Sequence, residues 1–222
     1  MVTTKSVRLE DYTPLPVEDM KARATAFYHE MRKRRSVRVF SDKTIPIDII
    51  KDCLRTAGTA PSGANQQPWH FVVVKDSAIK RKIRQEAEKV ERKFYGQTAS
   101  EGFLSALAPI DTGPEKGFLE TAPYLIVIFM QRYGLTPDGE KVPHCYPIES
   151  VGIATGILIA AIHHVGLVSL PYTPNPMSFL STILKRPENE RPVMIIPVGY
   201  PEETATVPKL ERKSFDEIAS FI

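Results

Sequence analysis

Two cysteines in 222 residues, Cys53 and Cys145, are too few and too far apart for a disulfide framework or a cysteine-rich metal cluster. So low a count suits a reducing compartment. No apolar run reaches the about 20 residues that a membrane-spanning helix needs. The most apolar segment, residues 151–162, runs into His163 and His164 and is read as part of a buried helix. Met1-Val2-Thr3-Thr4-Lys5 lacks the apolar core of a secretory signal. An excess of one charge is missing too: 29 Lys and Arg against 26 Asp and Glu leave +3, too little to imply a nucleic-acid partner. There is no internal repeat and no low-complexity tract. The expectation is one cytoplasmic globular domain over residues 1–222, with 42% hydrophobic and 25% charged residues.

Metal and nucleophile chemistry find little support. His144 and Cys145 are adjacent with Glu149 near, but a metal site needs more ligands at suitable spacing. His163 and His164 would point about 100° apart on a helix. No metal, no cysteine nucleophile and no Ser-His-Asp arrangement is assigned.

The patterning alternates helix and strand. Residues 1–18, with two prolines, read as an extended arm. Met20, Ala24, Phe27 and Met31 recur at helical spacing over residues 17–33. A second helix follows Ile45-Pro46-Ile47-Asp48 and ends near Gly58, and residues 70–75 form a β-branched strand. Asp76 and Ser77 cap a long helix to about Tyr95, with Ile79, Ile83, Ala87, Val90 and Phe94 as its stripe. Residues 96–118, broken by Gly96, Gly102, Gly113 and Gly117, read as an irregular lid. A fully buried strand over 124–129 precedes a central helix over 148–165, where Gly152 and Gly156 admit another backbone. Short strands at 167–170 and 193–198, a short helix at 179–184, and a C-terminal arm at about 205–222 with a small helix at 215–221 complete the chain. The class is α/β or α+β.

Two motifs carry chemistry. Arg34-Arg35-Ser36-Val37-Arg38 concentrates guanidinium groups, whose planar forks match phosphate oxygens. Alone, the run would be a solvated basic patch. Downstream, Ala60-Pro61-Ser62-Gly63-Ala64-Asn65-Gln66-Gln67-Pro68-Trp69 is a small-residue loop whose backbone N–H groups can approach a flat ligand. Alone, it would be a turn between helix and strand. Together they point to a phosphorylated cofactor with a planar ring. Glu91 and Tyr95 share a helix face, and Lys116 ends the lid just before Phe118-Leu119-Glu120-Thr121-Ala122-Pro123. An acid, a phenol and an ammonium group can grip an amino-acid zwitterion, and lid closure would strengthen the pairs by excluding water. Without that grouping, Glu91 would be a surface carboxylate and Tyr95 a half-buried tyrosine.

The arginine block, the T-A-G-T-A-P-S-G-A-N-Q-Q-P-W loop and the Glu91–Tyr95–Lys116 trio resemble the iodotyrosine deiodinases of the flavin-dependent nitroreductase superfamily. The likeness runs from about Met31 to about Phe215. It implies an α+β sandwich of helices around a mixed central sheet, in an arm-exchanged homodimer with FMN at its interface. It implies that Arg34, Arg35, Ser36, Arg38 and Arg212 hold the phosphate and ring edge, and that Pro61, Ser62, Gly63, Pro171, Tyr172 and Thr173 contact the flavin. Thr173 would hydrogen-bond flavin N5, although Pro171 and Tyr172 stand where small hydroxyl residues are usual. The Ala64 N–H would bind the substrate phenolate, while Glu91, Tyr95 and Lys116 hold the zwitterion. The implied activity is reductive dehalogenation of halotyrosine with electrons from an NAD(P)H-linked donor, in a soluble homologue of bacterial type without the membrane anchor of mammalian members. A broad nitroreductase or quinone reductase on the same fold, a flavin-bound sensor and a basic-patch nucleic-acid binder are the alternatives.

Overall fold

The computed structural model describes residues 6–10, 12–110 and 112–222; the beginning of the expected N-terminal arm and residue 111 of the expected lid lie outside these. The chain forms two units, Met1–Arg34 and Arg35–Ile222. In the first, helix α1 (Val17–Met31) begins after Pro16 with Glu18 and Asp19 in its first turn, where the helix dipole favours acids. None of its residues is buried, and Met20 and Phe27 of the apolar stripe are 55% and 57% exposed.

The second unit is built around an antiparallel sheet. Helix α2 (Ile47–Gly58) leads through the loop to β1 (Trp69–Val74), then α3 (Ser77–Lys93), α4 (Glu101–Leu107) and α5 (Phe118–Thr121). Strand β2 (Tyr124–Gln131) is followed by a hairpin of β3 (Tyr133–Leu135) and β4 (Lys141–Pro143). Helix α6 (Pro147–His164), β5 (Val168–Ser169), α7 (Phe179–Ile183) and β6 (Glu190–Gly199) complete it. The sheet order is β1-β2-β6-β5, all pairs antiparallel. Among the described residues, the parallel pairing is the bridge from Ser36 to Ser169.

Period-two alternation divides the core. Leu125, Val127 and Phe129 of β2 face one cluster with Ile83 and Ala87 of α3, Leu119 of α5 and Leu180 of α7. Tyr124, Ile126, Ile128 and Met130 face the other, with Ile50, Cys53 and Ala57 of α2 and Val151, Leu158 and Ile162 of α6. The result is helices on both faces of one sheet, the α+β sandwich expected.

Two expectations are corrected and one element is added. The segment 96–118 is helical over much of its length: a π-helical turn (Phe94–Thr98), α4, a 3-10 turn (Ala108–Ile110) and the start of α5 lie in it, while residues 112–117 carry no helix or strand. Gly102 is accommodated because it lies in the first turn of α4, which Ser100 caps by accepting the Phe103 N–H at 3.3 Å. Helix α6 buries one face only. A Cβ added at Gly152 or Gly156 would meet nothing within 4 Å, so among the described residues no other backbone packs there. At 18 residues and mean hydropathy 1.2, α6 is also long and apolar enough to cross a membrane, with 33% of its length buried within the chain. The β3–β4 hairpin carries no clear alternation and was not expected.

Candidate active site

The stripe of α3 explains why charge enters the core. The Asp76 carboxylate accepts the Ile79 N–H at 2.8 Å and fixes where the helix starts. From there the buried positions are Lys80, Ile83, Ala87, Glu88 and Glu91. The apolar stripe therefore delivers two carboxylates, three residues apart, to its C-terminal end. Lys80 holds the opposite end of this face: its Nζ donates to the carbonyl oxygens of Glu120 and Ala122, each at 2.8 Å, tying α5 to α3. Burial pushes the Lys80 ammonium below its ordinary value, against the pull of Glu120.

Glu91, Tyr95 and Lys116 converge. Lys116 Nζ lies 3.4 Å from Glu91 Oε2 and 3.2 Å from Thr112 Oγ1, and donates to the Gly113 carbonyl. The lysine is 3% exposed. Burial lowers its affinity for a proton, which the Glu91 charge partly restores. Tyr95 Oη donates to the Thr112 carbonyl at 3.1 Å. Burial raises its phenol above the usual value, offset in part by that hydrogen bond. These groups line a cavity of about 360 Å³ with Arg38, Phe103, Pro171, Tyr172 and Thr173 among its walls.

Glu88 had not been expected at the site, and Tyr172, expected at the flavin, makes a contact that had not been. Glu88 accepts the Lys116 backbone N–H at 2.9 Å and Arg84 Nε at 2.6 Å, so it joins the end of the lid to α3 one turn before Glu91. Its signal in the sequence is an acid on the apolar stripe, four residues after Arg84. Tyr172 turns its hydroxyl onto Glu91 Oε1 at 2.9 Å, while its backbone N–H and carbonyl pair with Ile195. No periodicity in residues 171–173 announces that orientation.

The residues expected to hold a cofactor fall in several places. Arg38 and Thr173 face the cavity. Arg35 donates to the Pro208 carbonyl, four residues before Arg212 on the C-terminal arm. Arg34 belongs to the N-terminal unit. The Val37 N–H, next to Ser36, donates to the Ser169 carbonyl at 3.2 Å. Pro61, Ser62, Gly63 and Ala64 do not line the cavity; the loop packs on the start of α6 instead. The need for glycine at 63 comes from that packing, since a Cβ there would sit 2.3 Å from the Cys145 carbonyl oxygen. The Ser62 hydroxyl accepts the Gln67 N–H at 2.9 Å, and the Gly63 N–H donates to Ser150 Oγ. Ala64, Asn65 and Gln67 have φ of 49°, 54° and 48°. Such left-handed conformations away from glycine are held by surrounding structure and cluster at functional sites. Among the described residues, no three His, Cys, Asp or Glu side chains converge as a metal site.

Residues 31–200 match the model of the Nitroreductase family. An iodotyrosine deiodinase of Haliscomenobacter hydrossis is 53% identical over 196 residues, 88% of each chain. Iodotyrosine deiodinase 1 of Homo sapiens is 45% identical over 204 residues, 91% of this chain and 71% of that one. The solved structure of oxidized iodotyrosine deiodinase bound to FMN and 3-iodo-L-tyrosine superposes with a TM-score of 0.76 at 31% identity, covering 88% of this chain and all of that one.

Proposed function

The chain belongs to the nitroreductase family, and from that footing we propose that it is an FMN-dependent oxidoreductase that removes halogen from halogenated tyrosine, giving tyrosine and halide. The observation that carries this reading is the convergence of Glu91, Tyr95 and Lys116 on one cavity. The high identity to chains named iodotyrosine deiodinase supports it.

The donor set suits FMN. Guanidinium groups from Arg34, Arg35, Arg38 and Arg212, with the Ser36 hydroxyl, supply phosphate donors. Thr173 offers a hydroxyl from the cavity wall for the flavin ring. Pro171 beside it, and the Pro61–Gly63 segment just before the left-handed Ala64 and Asn65, supply the remaining surfaces. When bound and reduced, FMN supplies two electrons that, with one proton, replace the carbon–halogen bond by carbon–hydrogen and release halide.

The residues of the chain do the rest by position and charge. Glu91 receives the α-ammonium of the substrate. Lys116, released from Glu91, takes the α-carboxylate, and Tyr95 closes the same wall. The Ala64 N–H stabilises the phenolate oxygen, whose formation an ortho halogen favours. Water exclusion by the segment from Phe94 to Lys116 strengthens each pair.

A second copy of this chain completes the site in this proposal. The Pro61–Ala64 loop and the cavity are separate places in one chain. Around the open glycines of α6, Ile148 and Ile153 are 68% and 46% exposed, and α1 buries none of its apolar stripe. Such unpartnered apolar surfaces suit a homodimer. Electrons arrive from an external NAD(P)H-linked donor, and the free thiols of Cys53 and Cys145 suit a cytoplasmic, reducing setting.

The test is a titration of FMN-loaded protein with 3-iodo-L-tyrosine, following flavin fluorescence. Saturable quenching at micromolar ligand, absent with 2-iodophenol, is expected. Bound flavin with no quenching would overturn the reading in favour of a nitroreductase that needs no zwitterion.

A further inference from the structure

Lys116 Nζ is already in an ammonium site. Around it stand the Glu91 carboxylate, Thr112 Oγ1, the Gly113 carbonyl, and the rings of Tyr95 and Tyr172 at 5.7 and 5.5 Å from their centroids. A carboxylate, neutral oxygens and two aromatic faces are the chemistry that recognises a primary ammonium.

Tyr172, expected only as a flavin contact, is the wall of this cage with no role toward the substrate yet. Three contacts make it rigid. Its backbone N–H and carbonyl both pair with Ile195 at 2.9 Å, its ring stands edge-on to Phe118 at 5.5 Å and 86°, and its hydroxyl donates to Glu91 Oε1 at 2.9 Å. Burial, with the Glu91 charge beside it, pushes the phenol far above its ordinary value, so the hydroxyl stays a donor at working pH. The bond holds one carboxylate oxygen still and leaves Oε2 directed at the cation.

We propose that Tyr172 is a specificity-determining residue for the primary ammonium of the substrate: with Glu91 and Tyr95 it forms a cation cage that Lys116 fills until a zwitterion exchanges into it. A halophenol bearing an ammonium and a carboxylate can make the exchange, because the displaced lysine gains the carboxylate. A halophenol with the carboxylate alone leaves Lys116 in the cage and gains nothing from Tyr172.

The inference rests on the halotyrosine reading, and two substrates separate it from that reading. The FMN-loaded wild type, Tyr172→Phe and Tyr172→Leu are compared for iodide release, as kcat/KM, from 3-iodo-L-tyrosine and from 3-(3-iodo-4-hydroxyphenyl)propanoate, which lacks the ammonium. Flavin absorbance checks cofactor retention. Tyr172→Phe keeps the ring on Phe118 and loses only the hydroxyl. It should lower kcat/KM for iodotyrosine about tenfold, a charge-assisted hydrogen bond's worth, with less than about twofold change for the propanoate. Tyr172→Leu also removes the aromatic face and should widen the gap further. Parallel losses on both substrates would mean a structural role only, and no loss on either would mean no role; each overturns the proposal while leaving the function intact. Wild-type protein that releases iodide from neither substrate would overturn the functional reading and this inference with it.

Discussion

Replacing Lys116 by Met keeps most of the buried stem and removes the ammonium. The missing group lies 3.4 Å from Glu91 Oε2, and its side chain is 3% exposed while that of Glu91 is 12% exposed. Stripping one partner from a fully buried pair costs about 3–5 kcal/mol. Glu91 keeps the Tyr172 hydrogen bond and some water, so about 2–3 kcal/mol is the appropriate range here. The same quantity governs ligand choice. In wild type, 3-iodotyramine brings an ammonium but no carboxylate, so it must break the Lys116–Glu91 pair without giving the lysine a new partner. It should therefore bind about 30- to 150-fold more weakly than 3-iodo-L-tyrosine. In Lys116→Met the amine meets a waiting carboxylate, while the amino acid loses its carboxylate contact. The ratio of the two dissociation constants should fall to within a few fold of one. Flavin fluorescence titration of the FMN-loaded proteins measures both constants. A ratio in Lys116→Met as large as in wild type would refute the exchange, since the lysine would then play no part in discriminating the two ligands.

Three further outcomes follow from the geometry. Burial pushes the Glu88 carboxyl up, but the Arg84 hydrogen bond, the Lys116 N–H and the charges of Arg84 and Arg92 outweigh it, leaving it below the usual 4.5. The unfolded chain therefore binds more protons there than the folded one as pH falls past 4.5. The stability this group contributes is full above that value and is lost through the folded one, so Glu88→Gln should flatten the acid limb of a melting-temperature profile. An unchanged acid limb would count against it. Gly63→Ala would drive a Cβ to 2.3 Å from the Cys145 carbonyl oxygen and should destabilise by about 1–3 kcal/mol in denaturant titration; a neutral result would mean that the loop and α6 separate readily. Arg35→Ala should purify with little FMN, and full flavin loading would remove it from the phosphate site.

Much of the frame was legible because burial leaves periodic traces. The run Tyr124 to Phe129 could only be a buried strand, and the Asp76 cap fixed the start of α3. Glu91 and Tyr95 were placed on one face by their spacing, whereas the arrival of Lys116 beside them depends on tertiary folding and rested on the chemistry of a zwitterion grip and on family likeness. The helices within the lid were missed because glycine was weighed as a breaker, yet Gly102 sits just after a serine cap where glycine costs little. Gly63 was assigned to a ligand from the small-residue loop alone, and no local pattern showed that the backbone of Cys145, 82 positions along the chain, also leaves no room for a side chain there. Tyr172 was assigned to the flavin, but its bond to Glu91 escaped, as Glu88 did, for the same reason: the partners, Glu91 and the Lys116 N–H, are distant in sequence and invisible to any local pattern.

The alternation along β2 has a genetic consequence. Val127 belongs to the neighbourhood of Tyr172 and Phe118, while Ile126, one residue away, belongs to that of α2 and α6. Two truncations of similar size at adjacent codons thus address different halves of the molecule. Suppressors of a defect at an odd-numbered position of this strand should map among residues of α3, α5 and the cavity wall. Suppressors of a defect at an even-numbered one should map to α2 and α6. The strand therefore divides the mutational map of the protein into two sets that share a backbone but few side-chain neighbours.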